Sequence, residues 1–256
     1  MLLFDSGATA LSEELALDGT MTLTAGFDSQ IAVLAAKSAV HLNVHNIEIA
    51  ESPQSDVDGW AEARREWLTP VMTSHWFVRP PWISPTTRTD LIDMVIDPGV
   101  AFGDAGHQTT RLMLDAVSNS VYPGARVLDI GAGTGILAIA AAHLGADVTA
   151  IEIDEHAAGV AQANVERNGV DQFVRVVHTD ATEEPFQQAD CALINVTIDV
   201  HRALAGRIAQ VPLVIVSGVL SHQVEEAIEL YWPRRLENIS EADGWAALLL
   251  RVAETT

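Results

Sequence analysis

Three glycines at alternate positions, Gly131, Gly133 and Gly135 in VLDIGAGTG, mark the place where this sequence is best suited to hold a ligand. They fall between a strand-like RVLDIG and a helix-like TGILAIAAAHLG. Glycines there let the backbone turn sharply and let a ligand lie against the main chain with no Cβ in the way. The spacing is G-x-G-x-G, whereas a dinucleotide fingerprint needs G-x-G-x-x-G, and Ile136 stands where the third glycine of that pattern belongs. An acid, Glu152, ends the next strand in AIEID, where a carboxylate accepts hydrogen bonds from both ribose hydroxyls of a nucleoside. Asp129 sits just before the turn. Asp180, after the third strand in VHTDA, is a candidate for an adenine amino group and equally an ordinary turn residue. Thr109 and Thr110 open a helix within IDPGVAFGDAGHQTTRLML, a position where threonine commonly caps. Other chemistry is poorly represented. His41 and His45 have a metal-like H-x3-H spacing, but HLNVHNIEIA alternates like a strand and offers no third ligand, so no metal is expected. No Ser-His-Asp arrangement can be assembled. The single cysteine, Cys191 in CALI, excludes an internal disulfide and a cysteine metal cage and reads as a core residue.

The elements that must position these residues alternate. From Arg126 the chain reads as strand RVLDIG, helix TGILAIAAAHLG, strand DVTAIEI and helix EHAAGVAQANVERNG. Strands FVRVVH, DCALIN and VPLVIVSG follow, with helices around Val200 to Ala209 and at SHQVEEAIELY. Such alternation specifies an α/β fold, a doubly wound and mostly parallel sheet with helices on both faces, and ligands in such sheets sit at the carboxyl ends of the strands. RRLENIS and GWAALLLRV close the chain as an antiparallel, hairpin-like pair at the sheet edge. Upstream, ESPQSDVDG (Glu51 to Gly59) reads as a linker. MTLTA, SQIAVLAAKSAV and HLNVHNIEIA before it form a small α+β unit of strand, helix and strand. DGWAEARREWL after it reads as a helix, and Trp60, Trp67, Trp76 and Trp82 supply much burial area, suited to joining the small unit to the large one. The expected organisation is an amino-terminal unit over 1–57, a connecting segment with pre-core strands over 58–106, and the main domain over 107–256.

Composition narrows the partners. The 256 residues carry a formal charge of −21, from 35 acidic and 14 basic side chains, and Lys37 is the only lysine. Such a surface repels phosphate backbones, so nucleic acid is disfavoured and a basic protein is drawn in. No apolar run approaches the ~18 to 20 residues of a spanning helix, and the acidic start MLLFDSGATALSEELAL lacks the features of a secretory signal. A soluble, cytoplasmic protein with no membrane association is expected.

The glycine turn, with Asp129 before it, resembles motif I of the S-adenosylmethionine methyltransferases. A wider stretch resembles one family, the PrmA methyltransferases of bacterial large-subunit ribosomal protein eleven. That resemblance runs from about Trp60 through HWFVRPPWISP and DLIDMVIDPGVAFG, takes in INV and LVIVSGVLSHQVEEAIELY, and ends in GWAALLLRV. It implies the seven-stranded class I methyltransferase (Rossmann-like) sheet and S-adenosyl-L-methionine as cofactor. It further implies that Thr110 contacts the cofactor, that Gly131 is the first glycine of motif I, and that Glu152 is the ribose acid. Asn195 would lie beside the methyl donor, binding cofactor and orienting the incoming amine, and His107 matches the family's loop histidine. The chain departs from the family at FGDAGHQTT, where relatives usually read FGTGTHPTT, and after Asn195, where Val196, Thr197, Ile198 and Asp199 replace Ile-Leu-Ala. Little resemblance is visible before Trp60.

The expected activity is methylation of a lysine or amino-terminal amine on a ribosomal or other basic protein. An in-line displacement needs alignment of donor and acceptor and exclusion of water more than it needs a strong acid. Asn195 offers a carbonyl that points the amine lone pair, while Asp104, His107 or solvent takes the proton. A small-molecule methyltransferase on the same core, or a non-catalytic module that binds the cofactor, are the alternatives.

Overall fold

The structure is a computed structural model and describes residues 8–15, 21–27, 68–99, 101, 103, 105–183 and 185–252, the first two ranges as backbone. The chain divides into two compact units, Met1–Val57 and Asp58–Thr256. In the first, β1 (Ala8–Leu15) pairs antiparallel with β2 (Met21–Phe27), which contains the expected MTLTA strand. The helix expected at SQIAVLAAKSAV, the strand with His41 and His45, the linker, the DGWAEARREWL helix with Trp60 and Trp67, and Asp104 lie outside the described residues.

The second unit is built around a seven-stranded sheet. Its strands are β6 (Arg126–Ile130), β7 (Asp147–Glu152), β8 (Val174–His178), β9 (Cys191–Asn195), β10 (Leu213–Leu220), β11 (Arg235–Ala242) and β12 (Trp245–Arg251), in the order β11-β12-β10-β9-β6-β7-β8. The pairs from β10 through β8 are parallel, whereas β12 runs antiparallel to both β10 and β11. The expected doubly wound, mostly parallel sheet is therefore present. Asp243 (φ 50°) and Gly244 (φ 78°) turn the final hairpin, the two left-handed residues suited to a tight turn between twisted strands. The exposed β11 forms the edge.

Both faces of this sheet are covered, as its largely apolar central strands require. Val127, Leu193, Leu213 and Ile215 point to one core. Their neighbours Leu128, Ala192, Ile194, Val214 and Val216 point to the other. Helices α1 (Gln108–Ser120), α2 (Ile136–His143) and α3 (Glu155–Arg167) lie on the first side. The second side carries α4 (Ile198–Leu204) and α5 (Val224–Leu230). Residues Ile136 to Ala142 of α2 are all buried, which an alanine-rich helix permits because small side chains let neighbouring backbones approach. Helix α4 ends earlier than the sequence suggests. Turns take over after Leu204, and the guanidinium of buried Arg234 donates to Ile208 O and Val211 O, satisfying carbonyls that a longer helix would have used.

A separate three-stranded sheet, β3 (Val71–Met72), β4 (Trp76–Arg79) and β5 (Ile92–Val95), precedes α1. Trp76 is fully buried in the same core as α1 and α2, and its indole N–H donates to Ser118 Oγ at 2.7 Å. Trp82 is partly exposed. Among the described residues no helix is long and apolar enough to cross a membrane. Nor do three His, Cys, Asp or Glu side chains gather there to hold a metal ion.

Candidate functional site

The carboxyl ends of the parallel strands bring most of the expected residues to one edge. Gly131, Gly133 and Gly135 follow β6 with φ of 76°, 56° and 78°, and Gly135 opens α2. Asp129 is buried beneath this turn, where its Oδ2 accepts from Ala138 N at 2.9 Å within α2. Burial pushes the Asp129 carboxyl up to about 7, opposed by that backbone bond and assisted by the nearby charge of Glu152.

Glu152 ends β7 and turns back onto the glycine turn. Its Oε2 accepts from Gly133 N at 2.8 Å, and its Oε1 from Ile153 N at 2.9 Å and Asp154 N at 3.1 Å. A carboxylate offers about four lone-pair positions. Three are taken, so one ribose hydroxyl fits directly and a second must displace or share an amide. Glu152 thus braces the glycine turn from the end of the neighbouring strand. Replacing Glu152 with Ala is expected to weaken nucleoside binding by about 1.5–3 kcal/mol, as for a lost bond to a charged group, and also to lower stability by freeing three amides. Calorimetry and denaturant titration on one variant measure both. Unchanged affinity would make Glu152 a structural acid alone.

Asp180 follows β8, and its Oδ1 accepts from Thr182 N and from the Thr182 hydroxyl, both at 2.7 Å. These bonds hold its carboxyl below the usual range. The arrangement is a side-chain-stabilised turn beside Glu152, since Thr179 N donates to Glu152 O at 2.9 Å.

His107 caps α1: its Nδ1 accepts from Thr109 N and lies 2.8 Å from Thr109 Oγ1, and its ring packs edge-on against Trp245, with centroids 4.9 Å apart. Accepting the backbone N–H occupies the Nδ1 lone pair. Thr110 is buried, and its Oγ1 has no hydrogen-bond partner among the described residues. A buried hydroxyl without a partner is costly, and a ligand atom at this helix start would satisfy it.

Asn195 is half-buried at the end of β9, opposite Ser217 of β10 in the register. The residue after it is pinned on two sides. A Cβ on Gly131 would lie 2.7 Å from Val196 Cγ1, and one on Gly218 (φ 79°) would lie 2.0 Å from Val196 O. Only glycine fits at either place.

Two asparagines that the sequence does not single out, Asn164 within α3 and Asn168 at its carboxyl cap, tie the segment before α1 to the site. Asn168 pairs with the backbone of Val95 through Oδ1 and Nδ2, at 2.9 and 2.7 Å. Asn164 does the same for Asp97, at 3.0 and 2.9 Å, and its Nδ2 also donates to Thr134 O at 3.0 Å. Each side-chain amide meets both the N–H and the C=O of one residue, as a neighbouring strand would. Thr134 Oγ1 donates to Gly103 O at 2.6 Å, and Arg111 Nε donates to Ala105 O at 3.0 Å. Gly103 is thereby tied to the glycine turn and Ala105 to α1. The i, i+4 spacing of Asn164 and Asn168 was the available signal.

Residues 4–252 match the sequence model of the family described as ribosomal protein L11 methyltransferase (PrmA). The chain belongs to this family. Relatives carrying that name are similar to it at 35% identity in Desulfitobacterium hafniense, over 76% of this chain and 64% of the relative. The figures for Thermus thermophilus are 37% identity, 75% of this chain and 76% of the relative. A solved ribosomal protein L11 methylase from Lactobacillus delbrueckii subsp. bulgaricus superposes with a TM-score of 0.65 at 26% identity, covering 71% of this chain and 97% of that one. The sheet is thus the class I methyltransferase (Rossmann-like) sheet of the family. The matched part of the chain spans about two thirds of the length of the curated relatives, 64% of the first.

Proposed function

We propose that this protein transfers the methyl group of S-adenosyl-L-methionine to amino groups, of lysine side chains or an amino terminus, on ribosomal protein L11. The observation that carries the reading is the meeting of a Cβ-free turn, the Glu152 carboxylate, the Thr110 hydroxyl, without a partner among the described residues, and Asn195 at one sheet edge in a chain of this family. These residues fit the cofactor. Glu152 takes its ribose, Thr110 Oγ1 satisfies a polar atom of it, and the main chain at Gly131 to Gly135 lies against it. Bound there, the cofactor supplies an electrophilic methyl on a positively charged sulfur.

The chain's own work is alignment. A lysine of pKa ~10.4 must arrive neutral, and a site that excludes water favours that form. The Asn195 side-chain carbonyl accepts an N–H of the amine and points the lone pair towards the methyl. His107, committed to its helix cap, fixes the start of α1 and with it Thr110, and the proton leaves to solvent. The Met1–Val57 unit serves as the grip on a basic protein, which the charge of −21 favours. A cytoplasmic setting, without nucleic acid or membrane as partner, completes the reading.

The test is incubation of the purified protein with labelled S-adenosylmethionine and L11, at rising salt, beside Asn195→Ala. Label should enter L11, more slowly as salt screens the acidic surface. Asn195→Ala should lower kcat about a hundredfold, as for a mispositioned reactant, while changing cofactor affinity much less. Label in small amines and none in protein would replace this reading with a small-molecule methyltransferase.

A further inference from the structure

Beneath Asn195 lies a buried polar chain that the nucleoside site does not use. His201, in the middle of α4, is wholly inaccessible. Its Nε2 is 2.8 Å from Ser217 O and its Nδ1 is 2.8 Å from the hydroxyl of Tyr231, also fully buried. The carbonyl can only accept, so Nε2 carries the ring proton, Nδ1 accepts, and Tyr231 O–H donates. Burial holds the imidazole neutral, with its pKa below the usual value despite opposing backbone hydrogen bonding from Ser217 and Val196. Burial likewise raises the Tyr231 hydroxyl, so it remains a donor.

The chain ends where the chemistry needs precision. Ser217 is the register partner of Asn195, and its hydroxyl donates to Ala246 O of β12 at 2.8 Å. Val196, next to Asn195, lies against Gly218 through its carbonyl and Gly131 through its side chain, and Thr197 O accepts from His201 N at 3.1 Å. Three elements are thus tied at one point: the carboxyl end of α5 through its cap Tyr231, α4 through His201 and the β9–β10 end through Ser217. An apolar trio would fill the space equally well. A directional chain instead sets one position for the segment that carries Asn195, and leaving any member out strands a buried polar atom.

We infer that His201, oriented by Tyr231, is a positioning residue that fixes the Asn195–Thr197 segment for amine orientation, without touching cofactor or substrate. The catalytic part rests on the methyltransferase reading above, and the positioning part does not.

The experiment compares Tyr231→Phe, His201→Ala and His201→Gln in the full-length protein. Glutamine restores a donor to Ser217 O, so it should rescue part of the alanine defect. Amide exchange read by mass spectrometry should rise about tenfold over residues 194–201 in Tyr231→Phe and His201→Ala while peptides of β6 and β7 keep their protection. Turnover on L11 should fall about tenfold at a cofactor KM within about twofold of the original. Combining Tyr231→Phe with Asn195→Ala should add nothing to the Asn195→Ala loss, since the chain acts through Asn195. Unchanged exchange over 194–201, or a uniform rise across the sheet, overturns the inference, and so does an additive double variant. If the unaltered protein methylates nothing, the functional reading fails, and the exchange pattern still decides whether the segment is held in this way.

Discussion

Gly218→Ala should be among the most damaging single-methyl additions available to this protein, costing about 3 kcal/mol or more of stability and most of the turnover. The new Cβ would sit 2.0 Å from Val196 O, 2.6 Å from Val196 C and 2.9 Å from Val196 N. These are backbone atoms, which cannot swing aside as the end of a side chain can. The φ of 79° adds the left-handed penalty of about 1–2 kcal/mol for a residue with a Cβ. Relief requires β9 and β10 to part at their carboxyl ends, and that is where Asn195 and Ser217 face each other. The pairing of β10 with β12 is already irregular between Val216 and Val219, so the bulge that holds Gly218 has no regular register to fall back on. Gly206→Ala is the control, since its Cβ would meet nothing within 4 Å. Urea midpoints and single-turnover rates for both variants provide the measurement. A Gly218→Ala protein that unfolds and turns over like its parent would show that Val196 can move freely.

The strands of the large sheet are readable in the sequence because both sheet faces are buried. CALIN and LVIVSGVL are apolar at most positions, and RVLDI at three of five, which follows from two cores rather than one. By contrast, β1 is hidden: LSEEL is rich in leucine and glutamate, good helix formers, and only pairing with β2 makes it a strand. The glycine turn and Glu152 were legible because spacing alone relates a turn to the next strand end. That Glu152 also braces the turn through Gly133 N was not, since it depends on the direction the side chain takes.

The residues that sequence reasoning left aside share one property: their partners are distant along the chain. Asn164 and Asn168 serve Asp97 and Val95, some seventy positions earlier. Asn164, inside a helix, looks merely unfavourable, and Asn168 looks like an ordinary helix end. His201 passes as one scattered histidine until α5 and β10 are folded against it. Gly218 carried a usable signal, a lone glycine in an apolar strand, which marks a bulge or a close backbone approach.

Asp129→Asn should stabilise the protein above neutral pH and weaken its hold on the cofactor. The carboxyl is pushed from about 4 in the unfolded chain up to about 7 in the fold, chiefly by burial. Between those values the native state binds more protons than the unfolded one. Stability therefore falls as pH rises from about 4 to about 7 and is level above that, with the ionised carboxylate costing about 4 kcal/mol. Asparagine keeps an acceptor for Ala138 N and cannot ionise. The difference between variant and parent should thus be near zero at pH 4 and grow to a few kcal/mol in the variant's favour by pH 8, less whatever the new amide N–H atoms lose for want of partners. Taking the difference cancels His201, whose lowered pKa makes the parent and the variant alike less stable as pH falls below about 6.5. The cost is tolerated at a turn proposed to hold a cationic ligand, and a cation favours the ionised form. Binding should then release protons near pH 7 in the parent and not in the variant, with affinity for S-adenosylmethionine rising with pH in the parent alone. Calorimetry in buffers of different ionisation enthalpy reads the proton count directly. A variant whose stability follows the parent's at every pH, with the same proton release, would place the titrating group elsewhere.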